Sequence, residues 1–313
     1  MKIYNSIDNF KPNFKPIITL GTFDGVHIGH KYILSHLNNI SQEEKGESVL
    51  ITFDPHPRHV LYPENQELKL INTLEEKETH LKEANLSHLI IQKFTKDFSR
   101  KKSINFVRDI LVNRLNIAHL VVGHDHQFGR NREGSIEDLQ ILSELYNFKV
   151  TELPCEDMNE VIVSSTKIRK AILTGKIELA NTYLGYYFHF SATVVVGNSI
   201  GKTIGFPTAN LVIENRLKII PSDGVYIVKV QHHGKQYYGM MNIGCKPTFR
   251  TKKRGLEVHI FNFDKNIYNK SLDVSVLRRL RDEKKFQNID DLKKQLSKDL
   301  DEANNIIKSL ALT

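Results

Sequence analysis

Gly21-Thr22-Phe23-Asp24-Gly25-Val26-His27-Ile28-Gly29-His30 is the stretch on which the reading of this chain turns. An apolar segment, residues 16–20, leads into it, and a helix-like segment, residues 31–40, leads out. Two imidazoles, His27 and His30, with Gly29 between them, therefore stand where a strand becomes a helix. Such a junction gathers free backbone N–H groups and the positive end of a helix dipole, and it attracts phosphate. Glycines at positions 21, 25 and 29 let the backbone approach a ligand closely. The imidazoles can donate hydrogen bonds to phosphate oxygens as charge builds on them. A glycine-rich turn with two surface histidines is the bland alternative. It would be preferred for an isolated His-x-x-His, but the glycines around a strand end favour the phosphate reading.

Working outward, the first half alternates two kinds of segment. Residues 17–20, 48–53, 88–92, 119–123 and 148–153 are short, apolar and often β-branched, as buried parallel strands are. Residues 31–40, 74–84, 103–115 and 136–146 are amphipathic at helical spacing. This alternation predicts a doubly wound α/β domain, with ligands beyond the carboxyl ends of the strands. After residues 184–187 the pattern changes to short alternating segments at 190–196, 225–232, 236–242, 256–263 and 272–277. These read as an antiparallel β-barrel or sandwich. An amphipathic helix over 290–310 follows. Two domains are expected, 1–184 and 185–313.

Bulk properties agree. The 313 residues suffice for two cores, and 40% hydrophobic with 26% charged residues is ordinary for a globular protein. The sequence contains no apolar run of membrane-spanning length and no signal-like apolar segment at its start, so no membrane partner and a cytoplasmic location are expected. The two cysteines, Cys155 and Cys245, lack metal-ligand spacing, which fits reduced thiols. The formal charge of +8 fits nucleic acid, a lysine-rich surface or phosphate-bearing small substrates. Its carriers are scattered, and no recognition helix, zinc finger or aromatic RNA-binding strand is evident.

Other strand ends carry polar clusters. Residues 122–130 (VGHDHQFGR) end the fourth strand-like segment and face the same cleft. Residues 164–169 (SSTKIR) open a helix, with Ser164 or Ser165 as N-cap. Its hydroxyls, Lys167 and Arg169 suit a triphosphate, although an ordinary capped helix has the same look. His56, in 52–58 (TFDPHPR), either faces the cleft or caps its loop. In the second half, 197–203 (GNSIGKT) imitates a P-loop with one residue too few between its glycines, and Pro207 follows where a helix is required. A P-loop NTPase is therefore rejected and a phosphate-contacting glycine loop kept. Thr208 and Asn210, two apart on an extended strand, point to one side and offer hard oxygens to a cation such as Mg²⁺. Glu257 and His259 share the polar face of a strand opposite Val258 and Ile260. A carboxylate there can take a proton from a substrate hydroxyl, and it can equally be a solvated glutamate.

Taken together, residues 21–30, 53–57, 123–129 and 164–169 resemble the N-terminal half of the prokaryotic bifunctional riboflavin kinase/FMN adenylyltransferase family (FAD synthetase), a nucleotidyltransferase fold with a His-x-Gly-His signature. Residues 201–211, 223–226, 242–249 and 257–261 resemble its riboflavin kinase module, a six-stranded barrel with a C-terminal helix. The resemblance covers nearly the whole chain. It implies two reactions: riboflavin plus ATP gives FMN, and FMN plus ATP gives FAD and pyrophosphate, each with Mg²⁺. By the same resemblance, His27 and His30 bind phosphate and stabilise the transition state, with Gly21, Phe23 and Gly29 in the ATP-binding turn. Ser164, Ser165, Thr166 and Arg169 hold the triphosphate, and Asp125 and Phe128 lie on the flavin side. Gly201, Lys202 and Thr203 belong to the nucleotide-covering loop, Thr208 and Asn210 hold Mg²⁺ with ATP, Asn242 meets the flavin, and Glu257 is the catalytic base. The stretch 278–286 is expected near the flavin or its closing loop. His126 stands where the family often carries phenylalanine. Two rivals are an enzyme with one working site beside a vestigial flavin-binding module, and a non-enzymatic RNA- or nucleotide-binding regulator. Small-molecule substrates, no nucleic acid, and a monomer or weak homo-oligomer are expected.

Overall fold

The computed structural model describes residues 1–64, 68–124, 127–154, 163–197, 200–248 and 251–310, which fall into two compact units, Met1–Ser165 and Thr166–Thr313.

In the first unit, strands β1 (Lys2–Tyr4), β2 (Pro16–Leu20), β3 (Glu47–Asp54), β4 (His88–Lys93), β5 (His119–Gly123) and β6 (Lys149–Leu153) form one sheet, ordered β1-β4-β3-β2-β5-β6. Every pairing in it is parallel. Helices α1 (Ile28–Glu43), α2 (Pro57–Leu61), α3 (Leu74–Glu83), α4 (Lys96–Ser99), α5 (Ser103–Phe106) and α6 (Ile136–Tyr146) connect the strands. Strand residues alternate between two cores because consecutive side chains point to opposite faces. Ile17, Leu50, Leu89 and Val121 pack with Leu34 and Leu37 of α1 and Leu81 of α3. Ile18, Val49, Ile51, Ile90 and Leu120 pack on the other face with Phe106, Leu139 and Leu142. Burying each such side chain stabilises the fold by about 1.5–3 kcal/mol. From β2 the chain runs through β3 to β4 on one side and resumes at β5 on the other. The carboxyl ends of β2 and β5 thus form the switch point where ligands of doubly wound sheets bind.

The sequence pattern locates most of these strands and helices to within a few residues; it does not announce the short helices α2 and α4, and two further segments differ. The edge strand β1 is too short to show alternation. Residues 103–115, read as one regular helix, are α5 followed by a wider turn over Val107–Val112. There Asn113 N–H donates to the Arg108 carbonyl at 3.0 Å and Leu115 N–H to that of Ile110 at 3.0 Å, five residues back rather than four. This widening keeps Val107, Ile110, Leu111 and Leu115 on the core.

In the second unit, α7 (Ser165–Leu173, whose first residue belongs to the first unit) and α8 (Ile177–Leu184) precede β7 (His189–Val195), α9 (Ile200–Thr203), β8 (Ala209–Val212), β9 (Gly224–His232), β10 (Lys235–Thr248), β11 (Thr251–Ile260), β12 (Ser271–Arg281) and α10 (Ile289–Leu310). The strands close into an antiparallel barrel ordered β10-β11-β8-β7-β12-β9. Barrel, strands and final helix agree with the sequence reading. The extended piece expected at Thr208 and Asn210 is the short strand β8, which starts one residue after Thr208. Asn181 of α8 ties that helix to the barrel: its amide donates to the carbonyls of Val276 (3.0 Å) and Leu277 (3.1 Å) and accepts from Phe188 N–H at 2.7 Å. α10 lies on the outer face, its Leu292, Leu296, Leu300 and Ala303 over Ile227, Met240 and Leu277. Arg281 pins it through hydrogen bonds of 2.7–3.0 Å to Asp299, whose residue is 2% exposed.

Candidate functional sites

The histidine turn sits at the carboxyl end of β2. Gly21 N–H continues the ladder to the Ile51 carbonyl at 3.0 Å. The chain then bends through Phe23 (φ 45°), Gly25 (φ 92°) and Val26 (φ 33°). Left-handed backbone at two non-glycine residues, one of them β-branched, is strained by roughly 1–3 kcal/mol each and persists only where the surroundings impose it. His27 caps α1: its Nδ1 accepts from His30 N–H at 3.4 Å, which places the proton of neutral His27 on Nε2. The two imidazoles stack at 3.6 Å and 18°, and Phe23 stacks on the other face of His30 at 4.5 Å and 23°. A side chain at position 21 would press on the Phe23 ring at 3.1 Å, so glycine there makes room for the stack.

Burial, then the neighbouring His27 and Lys77, hold the His30 pKa well below its ordinary value of 6.5. Its Nδ1 is buried and has no hydrogen-bond partner among the described residues. A proton donor or acceptor at this position, facing an anion-attracting helix start, is suited to a phosphate ligand.

Two buried charges tie the turn to the chain that follows β3, one within the turn and one on α3. Asp24, 1% exposed, accepts from Ile71 N–H (3.0 Å) and Asn72 N–H (3.1 Å). Lys77 of α3 donates to the Thr22 carbonyl at 2.8 Å, and Thr52 donates its hydroxyl to the same oxygen at 3.1 Å. The sequence reading gives neither Asp24 nor Lys77 a role. A signal was present for Lys77: it occupies an apolar-stripe position of α3, between Leu74 and Leu81.

Of the other residues expected here, Gly29 is buried in the first turn of α1. Ser165 donates its hydroxyl to the Asp24 carbonyl at 2.8 Å, and Ser164 directly precedes α7. Thr166 and Arg169 fall in the second compact unit. His56 caps α2 by accepting from Arg58 N–H at 3.2 Å, which resolves its two readings toward the cap. Phe128 is 6% exposed and packs into the core beside Phe106, anchoring its loop through reciprocal backbone bonds with Gly134. Asp125, His126 and Cys155 lie outside the described residues.

The second site is on the outer face of the barrel. Strand register sets Asn242 of β10, Glu257 of β11 and Asn210 of β8 side by side. Directly opposed residues share a face, so the three polar side chains form one row. Their chain neighbours Met241, Leu256, Val258 and Leu211 are buried. Thr208 donates to the Glu257 carboxylate at 3.4 Å. His259 Nδ1 donates to the Pro207 carbonyl at 2.8 Å and meets Phe206 edge-on at 5.3 Å, which anchors the entry to the Thr208–Asn210 segment. The glycine loop folds onto these residues. A Cβ at Gly197 would lie 1.9 Å from the Asn210 amide nitrogen, and one at Gly201 would lie 2.3 Å from the Phe206 carbonyl and 3.2 Å from the Thr208 hydroxyl. Thr203 closes α9, while the side chains of Lys202 and Cys245 lie outside the description.

Within the stretch 278–286, Arg279 donates to the Asp223 carbonyl at 2.7 Å, and Glu283 lies over Gly244, one outward position along β10 from Asn242. Among the described residues no group of three or more His, Cys, Asp or Glu is placed to hold a metal ion. The Thr208/Asn210/Glu257 set is made of hard oxygen donors, and it fits a cation completed by phosphate oxygens and water.

Residues 11–167 match the family model for FAD synthetase, and residues 184–307 match the model for riboflavin kinase. A bifunctional riboflavin kinase/FMN adenylyltransferase from Buchnera aphidicola (subsp. Schizaphis graminum) is 37% identical, covering 96% of this chain and 97% of its own. The Escherichia coli K12 protein of the same name is 33% identical over 96% of each chain. A crystal structure described as a macrolide-efflux protein from Streptococcus pneumoniae superposes with a TM-score of 0.89 at 31% identity, covering 97% of this chain and 98% of that one. Its efflux description stays with that protein; among the described residues here, no helix is long and apolar enough to cross a membrane. Both halves of the chain, in this order and over nearly the full length of its relatives, make it a member of the bifunctional riboflavin kinase/FMN adenylyltransferase family.

Proposed function

We propose that the two constellations are the two active sites of an enzyme that converts riboflavin to FMN and FMN to FAD, and that each works without the other's catalytic residues. The observation that carries this reading is the row Asn210–Glu257–Asn242 with Thr208, on a unit separate from the His27/His30 turn.

In the kinase reaction, Glu257 takes the proton from the riboflavin 5′-hydroxyl as that oxygen attacks the γ-phosphorus of ATP. The bond from the γ-phosphorus to the bridging oxygen breaks, and ADP leaves. Thr208 and Asn210 hold Mg²⁺, which neutralises phosphate charge when bound. Asn242 positions the flavin beside Glu257. Gly201, Lys202 and Thr203 cover the nucleotide.

In the adenylylation, an FMN phosphate oxygen attacks the α-phosphorus of a second ATP, and pyrophosphate departs with the bridging oxygen. No covalent enzyme intermediate is needed, so positioning and charge stabilisation suffice. His27 and His30 bind the phosphates, and His27 Nε2–H serves as donor. Gly21, Phe23 and Gly29 shape the turn, and Ser164 and Ser165 hold the triphosphate. Asp125 contacts the flavin.

We assign the functional boundary to residues 184/185, where the second family match begins. The substrates are small molecules, with no nucleic acid or membrane required, and the enzyme works in the cytoplasm as a monomer or weak homo-oligomer. Incubation with riboflavin, ATP and Mg²⁺, with the flavins separated over time, tests the reading. FMN that rises and then gives way to FAD is expected. FMN that never becomes FAD removes the adenylylation assignment, and no product from either riboflavin or FMN removes both.

A further inference from the structure

We propose that Lys77 is a positioning residue of the adenylylation site, fixing the Thr22 carbonyl so that Phe23 and His30 stack in register with His27. The inference rests on the assignment of His27 and His30 to that site.

Lys77 is 7% exposed and reaches from α3 to the point where β2 ends. Its ammonium donates to the Thr22 carbonyl at 2.8 Å and to the Thr52 hydroxyl at 3.5 Å. No ion pair of Lys77 occurs within 4.0 Å among the described residues; Asp24 and Asp54 are its nearby acids, and act on it only at longer range. Burying an ammonium against a neutral carbonyl costs stability, and its pKa is correspondingly lowered by burial. A methionine at this position of α3 would fill the same stem without that cost. A structural purpose alone therefore accounts poorly for a lysine here.

The carbonyl it grips is the one immediately before Phe23, the first left-handed residue of the turn. Shifting that peptide moves the Phe23 ring and with it the face on which His30 rests. A second consequence is electrostatic. The charged groups acting on His30 are His27 of the turn and Lys77 of α3, and both oppose protonation of His30, adding to burial. Lys77 thus fixes the geometry of the stack and adds to the burial and the His27 charge that oppose protonation of His30 before a polyphosphate arrives.

The test uses the full chain with K77M, K77R and H30A. FAD formation from FMN, riboflavin phosphorylation, thermal melting and the NMR titration of His30 are measured. K77M is expected to lower kcat for FAD formation by at least about tenfold, with KM for ATP changed far less and phosphorylation unchanged. Its first unit should melt no earlier than wild type, because a buried charge is gone. The His30 midpoint should move upward, toward the ordinary histidine value. K77R should restore most of kcat and a low midpoint. Wild-type kcat or an unmoved midpoint in K77M overturns the inference, as does a K77R chain indistinguishable from K77M. H30A separates the two levels: if it forms FAD at the wild-type rate, the site assignment itself fails, whatever Lys77 does.

Discussion

The histidine turn and the barrel row reach the same end, an array of polar groups ready for ATP, by opposite means. The turn is continuous in sequence and conformationally expensive. Its ten residues include two non-glycine residues at positive φ, held by the turn's own Asp24 through Ile71 and Asn72 and by Lys77 and Thr52 outside it. The row is scattered in sequence. Asn210, Glu257 and Asn242 occupy regular strand backbone and meet only because three strands pair in one register. The first site stores its order in strain and clamps, the second in register. The turn should therefore break when its supports are cut, and the row when a reacting side chain is changed.

The sharpest test of this contrast is E257Q. It should lower riboflavin phosphorylation by about 10²–10⁴-fold, the usual worth of a general base, while FAD formation from supplied FMN persists. Parallel flavin assays on one preparation decide it, and loss of both activities in a folded chain would break the separation of sites. H27A should follow, reducing FAD formation by roughly 10²-fold through lost charge stabilisation and destabilising α1 by about 1 kcal/mol through the lost cap. D24A attacks a support and touches no substrate. Leaving the Ile71 and Asn72 amides unsatisfied should cost the first unit about 1–3 kcal/mol, with FAD formation falling and phosphorylation intact, as denaturant melts beside both assays would report. In the barrel, G197A should displace the Asn210 amide and raise KM for ATP in phosphorylation by several-fold, on the order of 1 kcal/mol, with little change in melting.

The smallest effect is the pH dependence that His30 contributes to the first unit. Folded His30 binds its proton only well below the ordinary pKa. Below about pH 6.5 the unfolded chain therefore carries protons that the fold does not, and stability falls with acid. Melts between pH 7.5 and 5.5 should show this slope in wild type and a shallower one in H30A.

The sequence disclosed most of the fold because both periodicities are strong. Ile17 and Ile18, adjacent in the chain and buried on opposite faces, already require a covered parallel strand. The alternation around Glu257 already requires a half-buried one. Less visible was whatever depends on distant partners. Asn242 and Glu257 could each be named, but their adjacency is a property of pairing. The supports of the turn were hidden for a different reason: Asp24 and Lys77 serve backbone atoms, and a charged residue that bonds to a peptide leaves no motif. Only the misfit of a lysine on the apolar stripe of α3 pointed to it. The wide turn at Val107–Val112 was illegible because its apolar spacing also satisfies a regular helix.

The β10–β11 pairing has a consequence for how this enzyme tolerates change in length. Asn242 opposes Glu257, and Thr248 opposes Thr251 six residues further along. Residues inserted between Thr248 and Thr251 leave every pairing intact. A single residue gained or lost within either arm exchanges outward and inward positions from there on. Glu257 would then point among the core side chains and Leu256 would stand where a base is needed. The kinase chemistry is thus encoded in the odd–even count along two strands, and relatives that keep the activity should vary in the tip of this hairpin while conserving the count in its arms.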